Sequence, residues 1–168
     1  MTPCLIRVAD GALDIASARR LFEAYAASLA VDLCFQGFAA ELAGLPGEYA
    51  PPRGGLLLGR CADADVGCVA LRPLRGDVDA RVDAAPVDLG EVKRLYVDPA
   101  ARGCGLGRAL MNALIARARG IGYRELRLDT LATMGEARAL YASLGFRECE
   151  RYCDNPLPGA AWMSLALA

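Results

Sequence analysis

The residues of this chain that most directly suggest chemistry form a glycine-rich segment, residues 102–107, with the sequence Arg-Gly-Cys-Gly-Leu-Gly. The segment follows the apolar run at residues 95–97 and precedes a helical pattern at residues 109–118. Glycines allow a ligand to approach the backbone closely, and the first N–H groups of a helix have no partner inside the helix. These donors and the helix dipole favour a bound phosphate group.

Two well-known phosphate loops are excluded by the neighbouring residues. A Walker A loop requires Lys and Ser or Thr after its last glycine, whereas Arg108 and Ala109 follow Gly107. The dinucleotide fingerprint Gly-x-Gly-x-x-Gly would need its third glycine at Arg108 or at Leu110. The remaining pattern is Arg-x-x-Gly-x-Gly after a strand. A plain turn at the start of a helix is the alternative interpretation.

Two further segments give this pattern a context. Residues 137–146 read as a helix that carries Tyr141 and ends in a Gly-Phe turn, and a strand at residues 126–131 separates the two helices. Residues 91–99 read as the preceding central strand. Together the three segments resemble the GNAT superfamily of acetyl-CoA-dependent N-acyltransferases. The resemblance is specific from about residue 90 onward, and before that residue it rests on the order of the elements.

The resemblance implies a fold and an activity. The expected fold is α+β, with a central, mixed and mostly antiparallel twisted β-sheet flanked by about four α-helices, in one domain over residues 1–168. The expected reaction moves an acetyl group from acetyl-CoA to a primary amine of a small molecule, by direct attack in a ternary complex and without a metal. The alternatives are acetylation of a protein amine and a catalytically silent CoA-binding sensor or structural domain.

The same resemblance assigns the cofactor-binding residues. In the family the central strand splays from the next parallel strand, and its exposed backbone pairs with the pantetheine arm of the cofactor, as in strand addition by a ligand. One backbone N–H there polarises the thioester carbonyl. The residues expected to bind the arm are Leu95, Tyr96 and Val97, and those expected to hold the pyrophosphate are Arg102, Gly103, Cys104, Gly105, Leu106, Gly107 and Arg108.

Acetyl transfer to an amine requires proton transfers, and the chain has no histidine to perform them. The attacking amine must lose a proton and the departing thiolate is helped by a proton donor. The resemblance implies Tyr141 as the donor and Glu91 as the base, acting directly or through a water, with Asp129 as a second candidate. The alternatives are a tyrosine packed in the core and an exposed strand carboxylate paired with Lys93 or Arg127.

The acceptor site is less determined. In this architecture it is built from residues 32–49 and 152–159, where acidic groups (Asp32, Glu41, Glu48 and Asp154) could attract an ammonium group. The stretch 152–159 also reads as a β-turn built on Asp-Asn-Pro. Met134 stands where the family often has an asparagine, and a thioether cannot make the hydrogen bonds of an amide. The predicted substrate-binding residues are Asp32, Gln36, Tyr152 and Asn155.

Composition excludes several other classes of protein. The 168 residues carry a formal net charge of −1, which gives no reason to expect a nucleic-acid partner. No apolar run reaches the ~18 residues of a membrane span, and the first residues do not read as a signal peptide, so a cytoplasmic protein is expected. Eight basic and two acidic residues between positions 93 and 127 form either a solvated surface or a field that attracts CoA phosphates.

The cysteines are seven in number, and no Cys-x-x-Cys pair occurs among them. Without histidine, a zinc site or a Cys–His catalytic pair is improbable. We therefore expect small buried side chains in a reducing compartment. Cys104 is the exception, because a thiol at the start of a helix can be reactive when it is exposed.

Hydrophobic periodicity predicts the elements that position these residues. The last strand carries an apolar face that could pair across a homodimer. The predicted strands span residues 5–9, 56–61, 65–71, 90–97, 125–131, 146–150 and 162–167, the predicted helices span residues 13–29, 35–45, 105–119 and 135–144, and residues 75–88 are predicted to form a surface loop.

Overall fold

The computed structural model describes residues 4–74 and 89–167. These residues form seven β-strands and four α-helices. The strands are β1 (Cys4–Val8), β2 (Gly55–Cys61), β3 (Ala64–Pro73), β4 (Leu89–Val97), β5 (Glu125–Leu131), β6 (Arg147–Glu148) and β7 (Ala160–Ala166). The helices are α1 (Gly11–Leu29), α2 (Phe38–Ala43), α3 (Leu106–Ile121) and α4 (Gly135–Ser143), with 3₁₀ turns at Cys34–Gln36, Gly47–Tyr49 and Pro99–Ala101.

All seven strands belong to one sheet in the order β1-β2-β3-β4-β5-β7-β6. The pairing of β4 with β5 is parallel, and the other five pairings are antiparallel. This arrangement confirms the predicted α+β class with a mixed, mostly antiparallel sheet. The β4–β5 ladder joins only residues 89–91 to residues 125–127. Beyond Glu91 the backbone of β4 is therefore free of β5.

The helices cover both faces of the sheet, so the core has two parts. Leu57, Val69 and Leu71 pack with α3 on one face. Leu56 and Leu58, which flank Leu57 in β2, pack with α1 on the other face. Because successive side chains of a strand point to opposite faces, a central strand covered on both sides reads as a continuous apolar run.

Replacing Leu114 by alanine tests this packing. Leu114 lies in α3 and is fully buried in the larger part of the core. We expect Leu114→Ala to lower the free energy of unfolding by about 3 kcal/mol, because it removes apolar burial and leaves a cavity. Urea unfolding measures the change. The control Leu13→Ala alters a largely exposed side chain, and an equal loss in both variants would contradict this account of the core.

Some predicted boundaries were wrong. The helix predicted at residues 35–45 is a 3₁₀ turn followed by α2, because Gly37 between them adopts a φ of 67°. The strand predicted at residues 146–150 is limited to Arg147–Glu148, and β7 begins two residues earlier than predicted. β7 lies between β5 and β6, so β6 covers the edge of β7 at Met163 and Ser164. The predicted loop 75–88 falls outside the described residues.

The expectation that the cysteines other than Cys104 are buried thiols holds for Cys68 and is wrong for the others. Cys4 and Cys61 form a disulfide, because the register of β1 against β2 places them directly opposite each other. Of the free cysteines, Cys34 and Cys104 are exposed and only Cys68 is buried. Within the described residues, no helix is long and apolar enough to cross a membrane.

Candidate active site

The glycine-rich segment forms the turn that leads from β4 into α3. Gly103 and Gly105 have φ angles of 79° and 83°, a region that side chains with a Cβ rarely adopt. Gly105 is the N-cap of α3, and no side chain caps this helix end. The N–H groups of residues 106–108 therefore have no partner within the helix, which leaves them available to an anion.

An open groove runs from this turn along β4 to the start of α4. It is lined by every predicted cofactor-binding residue except Cys104. Arg102 donates from Nε to the Val97 carbonyl at 3.1 Å, and Arg108 donates to the Ser143 hydroxyl. The predicted residues that line the groove are Leu95, Tyr96, Val97, Arg102, Gly103, Gly105, Leu106, Gly107 and Arg108.

A bulge lies in β4 shortly after the point at which its pairing with β5 ends. The β3–β4 register shifts between Cys68 and Ala70, and Arg94 adopts a φ of 59°. The guanidinium of Arg94 holds this unusual conformation, because it donates to both Glu41 carboxylate oxygens at 2.6 and 3.0 Å and to the Gln36 amide oxygen at 2.8 Å. The β4 backbone after the bulge therefore presents an unpaired edge to the groove.

A smaller inner pocket adjoins the groove. Tyr25, Leu29, Leu95 and Met134 line both cavities, so the two lie side by side. The inner pocket collects polar groups from six parts of the chain, and about half of the residues that line it are polar. Those polar residues are Tyr25, Gln36, Lys93, Arg94, Asp129, Thr130, Tyr141 and Asn155.

Asp129 is the carboxylate at the inner pocket. It accepts hydrogen bonds from Lys93 Nζ at 3.0 Å and from Asn155 Nδ2 at 2.8 Å. Burial alone would raise the pKa of Asp129, but the charge of Lys93 and these two hydrogen bonds hold the pKa below its ordinary value. Asp129 is therefore a carboxylate anion at neutral pH.

Glu91, the predicted base, lies outside the inner pocket. Its side chain is 3% exposed, so the alternative of an exposed carboxylate was wrong about exposure, whereas the pairing with Lys93 that it named is present. It accepts hydrogen bonds from Arg72 Nε at 2.7 Å and from the Tyr152 hydroxyl at 3.2 Å, and Lys93 Nζ lies at 3.6 Å. Glu91 therefore joins a buried polar network that reaches the pocket through Lys93.

Tyr141 lies on α4 and faces the inner pocket. Its ring packs against Phe146 with 5.8 Å between ring centroids. Burial raises the pKa of Tyr141 well above its ordinary value, and the nearby Tyr25 and Asp129 raise it further. The hydroxyl is therefore protonated at neutral pH and can act as a donor.

The predicted substrate-binding residues divide into two groups. Gln36 and Asn155 line the inner pocket. Asp32 is exposed and accepts a hydrogen bond from the Cys34 N–H at 2.8 Å, and Tyr152 bonds to Glu91. The structure therefore does not bring Asp32 or Tyr152 to the pocket wall.

The acidic groups considered for attracting an ammonium group do not line the inner pocket. Glu41 pairs with Arg94, and Asp154 pairs with Arg151 on an exposed loop. Glu48 lies 3.2 Å from Arg72. Asp129 is thus the carboxylate that the described residues bring to the pocket wall.

Sequence reasoning missed the roles of Lys93 and Arg94. Strict alternation along a strand would send one of these neighbouring cations to solvent. The bulge instead buries both side chains, at 7% and 2% exposure. Two adjacent cations in a strand whose other residues, apart from Glu91, are uncharged were the available signal, because buried charges require partners.

The fold and the site together define a class of protein, and comparison with known proteins identifies it. A sequence model of the family described as "Acetyltransferase (GNAT) domain" matches residues 53–148. The chain belongs to this family, whose members are acetyl-CoA-dependent N-acetyltransferases. The match includes the glycine-rich turn, the bulged strand and the helix of Tyr141.

Two curated relatives illustrate the similarity. An uncharacterized N-acetyltransferase of Schizosaccharomyces pombe is 35% identical over 156 residues, which cover 92% of this chain and 90% of the relative. An aminoglycoside N(6')-acetyltransferase type 1 of Stenotrophomonas maltophilia is 36% identical over 117 residues, which cover 68% of this chain and 74% of the relative.

Solved structures share the fold. An acetyltransferase of the GNAT family from Staphylococcus aureus Mu50 superposes with a TM-score of 0.76 at 16% identity, covering 99% of this chain and 100% of that one. An acetyltransferase from Salmonella typhimurium, solved with its cofactor acetyl-CoA, gives a TM-score of 0.66 at 22% identity, covering 98% and 94% of the two chains.

Proposed function

We propose that this chain transfers an acetyl group from acetyl-CoA to a primary amine of a small molecule, by direct attack in a ternary complex. The observation that carries the proposal is that two cavities adjoin. The groove holds the glycine turn and the free edge of β4, and it shares four lining residues with a pocket lined by Asp129 and Tyr141.

The groove residues fit acetyl-CoA, which supplies the acetyl thioester when it is bound. The N–H groups at the start of α3 would bind the pyrophosphate, and the glycines at 103 and 105 leave room for it, since a Cβ built on either meets nothing within 4 Å. The β4 edge at residues 95–97 would bind the pantetheine arm through its backbone. One N–H of this edge would stabilise negative charge that develops on the carbonyl oxygen.

The inner pocket would bind and deprotonate the amine. Asp129 is ionised and stands at the pocket wall, where it can attract an ammonium group and accept its proton. Glu91 can take part only through a water or through Lys93, because it does not line the inner pocket. The protonated Tyr141 hydroxyl is the donor for the leaving thiolate.

A small acceptor is favoured by the shape and charge of the inner pocket. Side chains of α1, the 3₁₀ turn, β4, β5, α4 and the loop before β7 surround it. Its two cations are paired with carboxylates, Lys93 with Asp129 and Arg94 with Glu41. Of these carboxylates Asp129 is the one that lines the pocket, so it is the group placed to meet an incoming ammonium. The relative from Stenotrophomonas maltophilia is named for a small-molecule acceptor, an aminoglycoside. Cytoplasmic location and homodimer formation stay predictions.

A transfer assay tests the proposal. Purified protein is incubated with acetyl-CoA and a panel of primary amines and short peptides, and products are detected by mass spectrometry, since the exposed Cys34 and Cys104 would react with thiol reagents. We expect acetylation of at least one small amine. Acetylation of peptides alone would indicate a protein acceptor, and binding of acetyl-CoA without any product would indicate a silent CoA-binding domain.

Gly105→Ala tests the role of the glycine turn. A side chain at a φ of 83° is strained by roughly 1–2 kcal/mol, which either distorts the turn or weakens the fold. We expect the Kd for acetyl-CoA, measured by calorimetry, to rise about 10-fold. The control Gly120→Ala adds the same methyl group to α3, where no atom lies within 4 Å of it. An unchanged affinity in both variants would contradict the assigned role.

A further inference from the structure

Three sulfur atoms meet beside the glycine turn. The Sγ atoms of Cys4 on β1, Cys61 on β2 and Cys104 in the turn all lie within 4.8 Å of one another. Cys4 and Cys61 form the disulfide, whereas Cys104 is a free and exposed thiol. A free thiol beside a disulfide is the arrangement that thiol–disulfide exchange requires.

The fold explains this meeting of distant residues. The β1–β2 register pairs Cys4 with Cys61 at the edge of the sheet. The start of α3 packs against β2 so closely that a methyl group at Gly59 would come within 2.7 Å of Leu106 Cδ1. Cys104, two residues before Leu106, is therefore held beside the disulfide.

The side chain of Cys104 also points differently from its neighbours. Gly103 and Gly105 line the groove, whereas the Cys104 sulfur lies near the disulfide and donates to the Ala101 carbonyl at 2.9 Å. One face of the turn thus lies toward the proposed cofactor, and the Cys104 sulfur lies on another face. A covalent bond at this sulfur would change the position of the cofactor-binding backbone.

We propose that Cys104 is an exchange site for the Cys4–Cys61 disulfide. The Cys104 thiolate attacks one sulfur of the disulfide, a new S–S bond forms to that sulfur, and the other cysteine leaves as a thiolate. The proton that Cys104 loses goes to solvent, and the released thiolate takes one up. One disulfide and one thiol are present before and after, so the step needs no oxidant or reductant.

The consequence for the cofactor rests on the proposed function. A bond from Cys104 to β1 or β2 pulls the turn toward the sheet edge and away from the geometry in which its N–H groups bind pyrophosphate. Exchange and acetyl-CoA binding then oppose each other, and the coupling is reciprocal. Bound acetyl-CoA keeps Cys104 free, and the exchanged form binds acetyl-CoA weakly.

Disulfide mapping tests the proposal on the full chain. Trypsin separates the three sulfurs into peptides of residues 1–7, 61–75 and 103–108. The protein, prepared without reductant, is held at about pH 8.5 to ionise free thiols, quenched in acid, alkylated and digested without reduction. We expect peptide 103–108 linked to peptide 1–7 or 61–75, in a fraction that does not change on dilution. Recovery of peptide 103–108 only as the alkylated thiol would overturn the proposal.

Two variants and the addition of acetyl-CoA complete the test. Cys104→Ser must abolish the new linkage, and Cys34→Ser, which removes the other exposed thiol, must leave it unchanged. Acetyl-CoA at about 100 times its Kd is expected to lower the ratio of exchanged to original protein roughly 100-fold. An unaltered ratio with bound acetyl-CoA would overturn the coupling. Exchange without any calorimetric binding of acetyl-CoA would instead remove the proposed function and leave the exchange site standing.

Discussion

Tyr141→Phe is expected to lower kcat about 100-fold while the Kd for acetyl-CoA stays within a factor of about two, because a general acid contributes ~10²–10⁴ to the rate. The variant removes only the hydroxyl, which faces the inner pocket and is protonated at neutral pH. The ring keeps its contact with Phe146. Steady-state kinetics and calorimetry together measure the two effects.

The matched control is Tyr123→Phe. The Tyr123 hydroxyl is also partly buried, and it donates to the Arg53 carbonyl away from both cavities. Loss of that bond is expected to lower stability by about 1 kcal/mol and to leave kcat unchanged. If Tyr141→Phe turned over at the parent rate, Tyr141 would have no role as the donor.

Asp129→Asn is expected to lower kcat/KM for the amine about 100-fold, because it removes the one carboxylate that the described residues bring to the pocket wall. The control Glu91→Gln makes the same change of charge one strand away, outside the pocket, and its effect should be smaller. Thermal unfolding of both variants separates a loss of activity from a loss of fold. An inactive Glu91→Gln beside an active Asp129→Asn would show that Glu91 is the base, acting through a water.

Asp129→Asn also changes how the free energy of unfolding depends on pH. The pKa of Asp129 is lowered in the folded protein, so the folded state favours the ionised form. Its stabilising contribution is fully present above the unfolded value of about 3.9 and is lost as the pH falls through the folded value. We therefore expect the parent to be more stable than Asp129→Asn at pH 7, and this difference to vanish in acid. If the two proteins differed by the same free energy of unfolding at all pH values, this expectation would be contradicted.

The parts of the site that could be predicted from the sequence are those set by neighbouring residues. The glycine turn before α3 follows from residues whose backbone angles only glycine adopts easily. The helix of Tyr141 and its Gly-Phe end have an equally local pattern. The mixed, mostly antiparallel sheet around them was implied by the family resemblance, and the structure confirms it.

The parts that could not be predicted depend on contacts between distant residues. Arg94 is held at the bulge by Glu41 and Gln36, which lie 53 and 58 residues away in the sequence. The pKa of Asp129 on β5 is lowered by the charge of Lys93 on the neighbouring strand β4. The disulfide joins residues 57 apart, and only the β1–β2 register sets its pairing. None of these contacts has a signature in the periodicity of one segment.

The central claim is that the glycine turn and the free edge of β4 hold acetyl-CoA. Calorimetric titration with acetyl-CoA, with CoA and ATP as controls, tests it most directly. We expect saturable binding of acetyl-CoA and CoA to each chain and no comparable binding of ATP. Absence of acetyl-CoA binding by the folded protein would contradict the claim, leaving the turn as only the start of a helix.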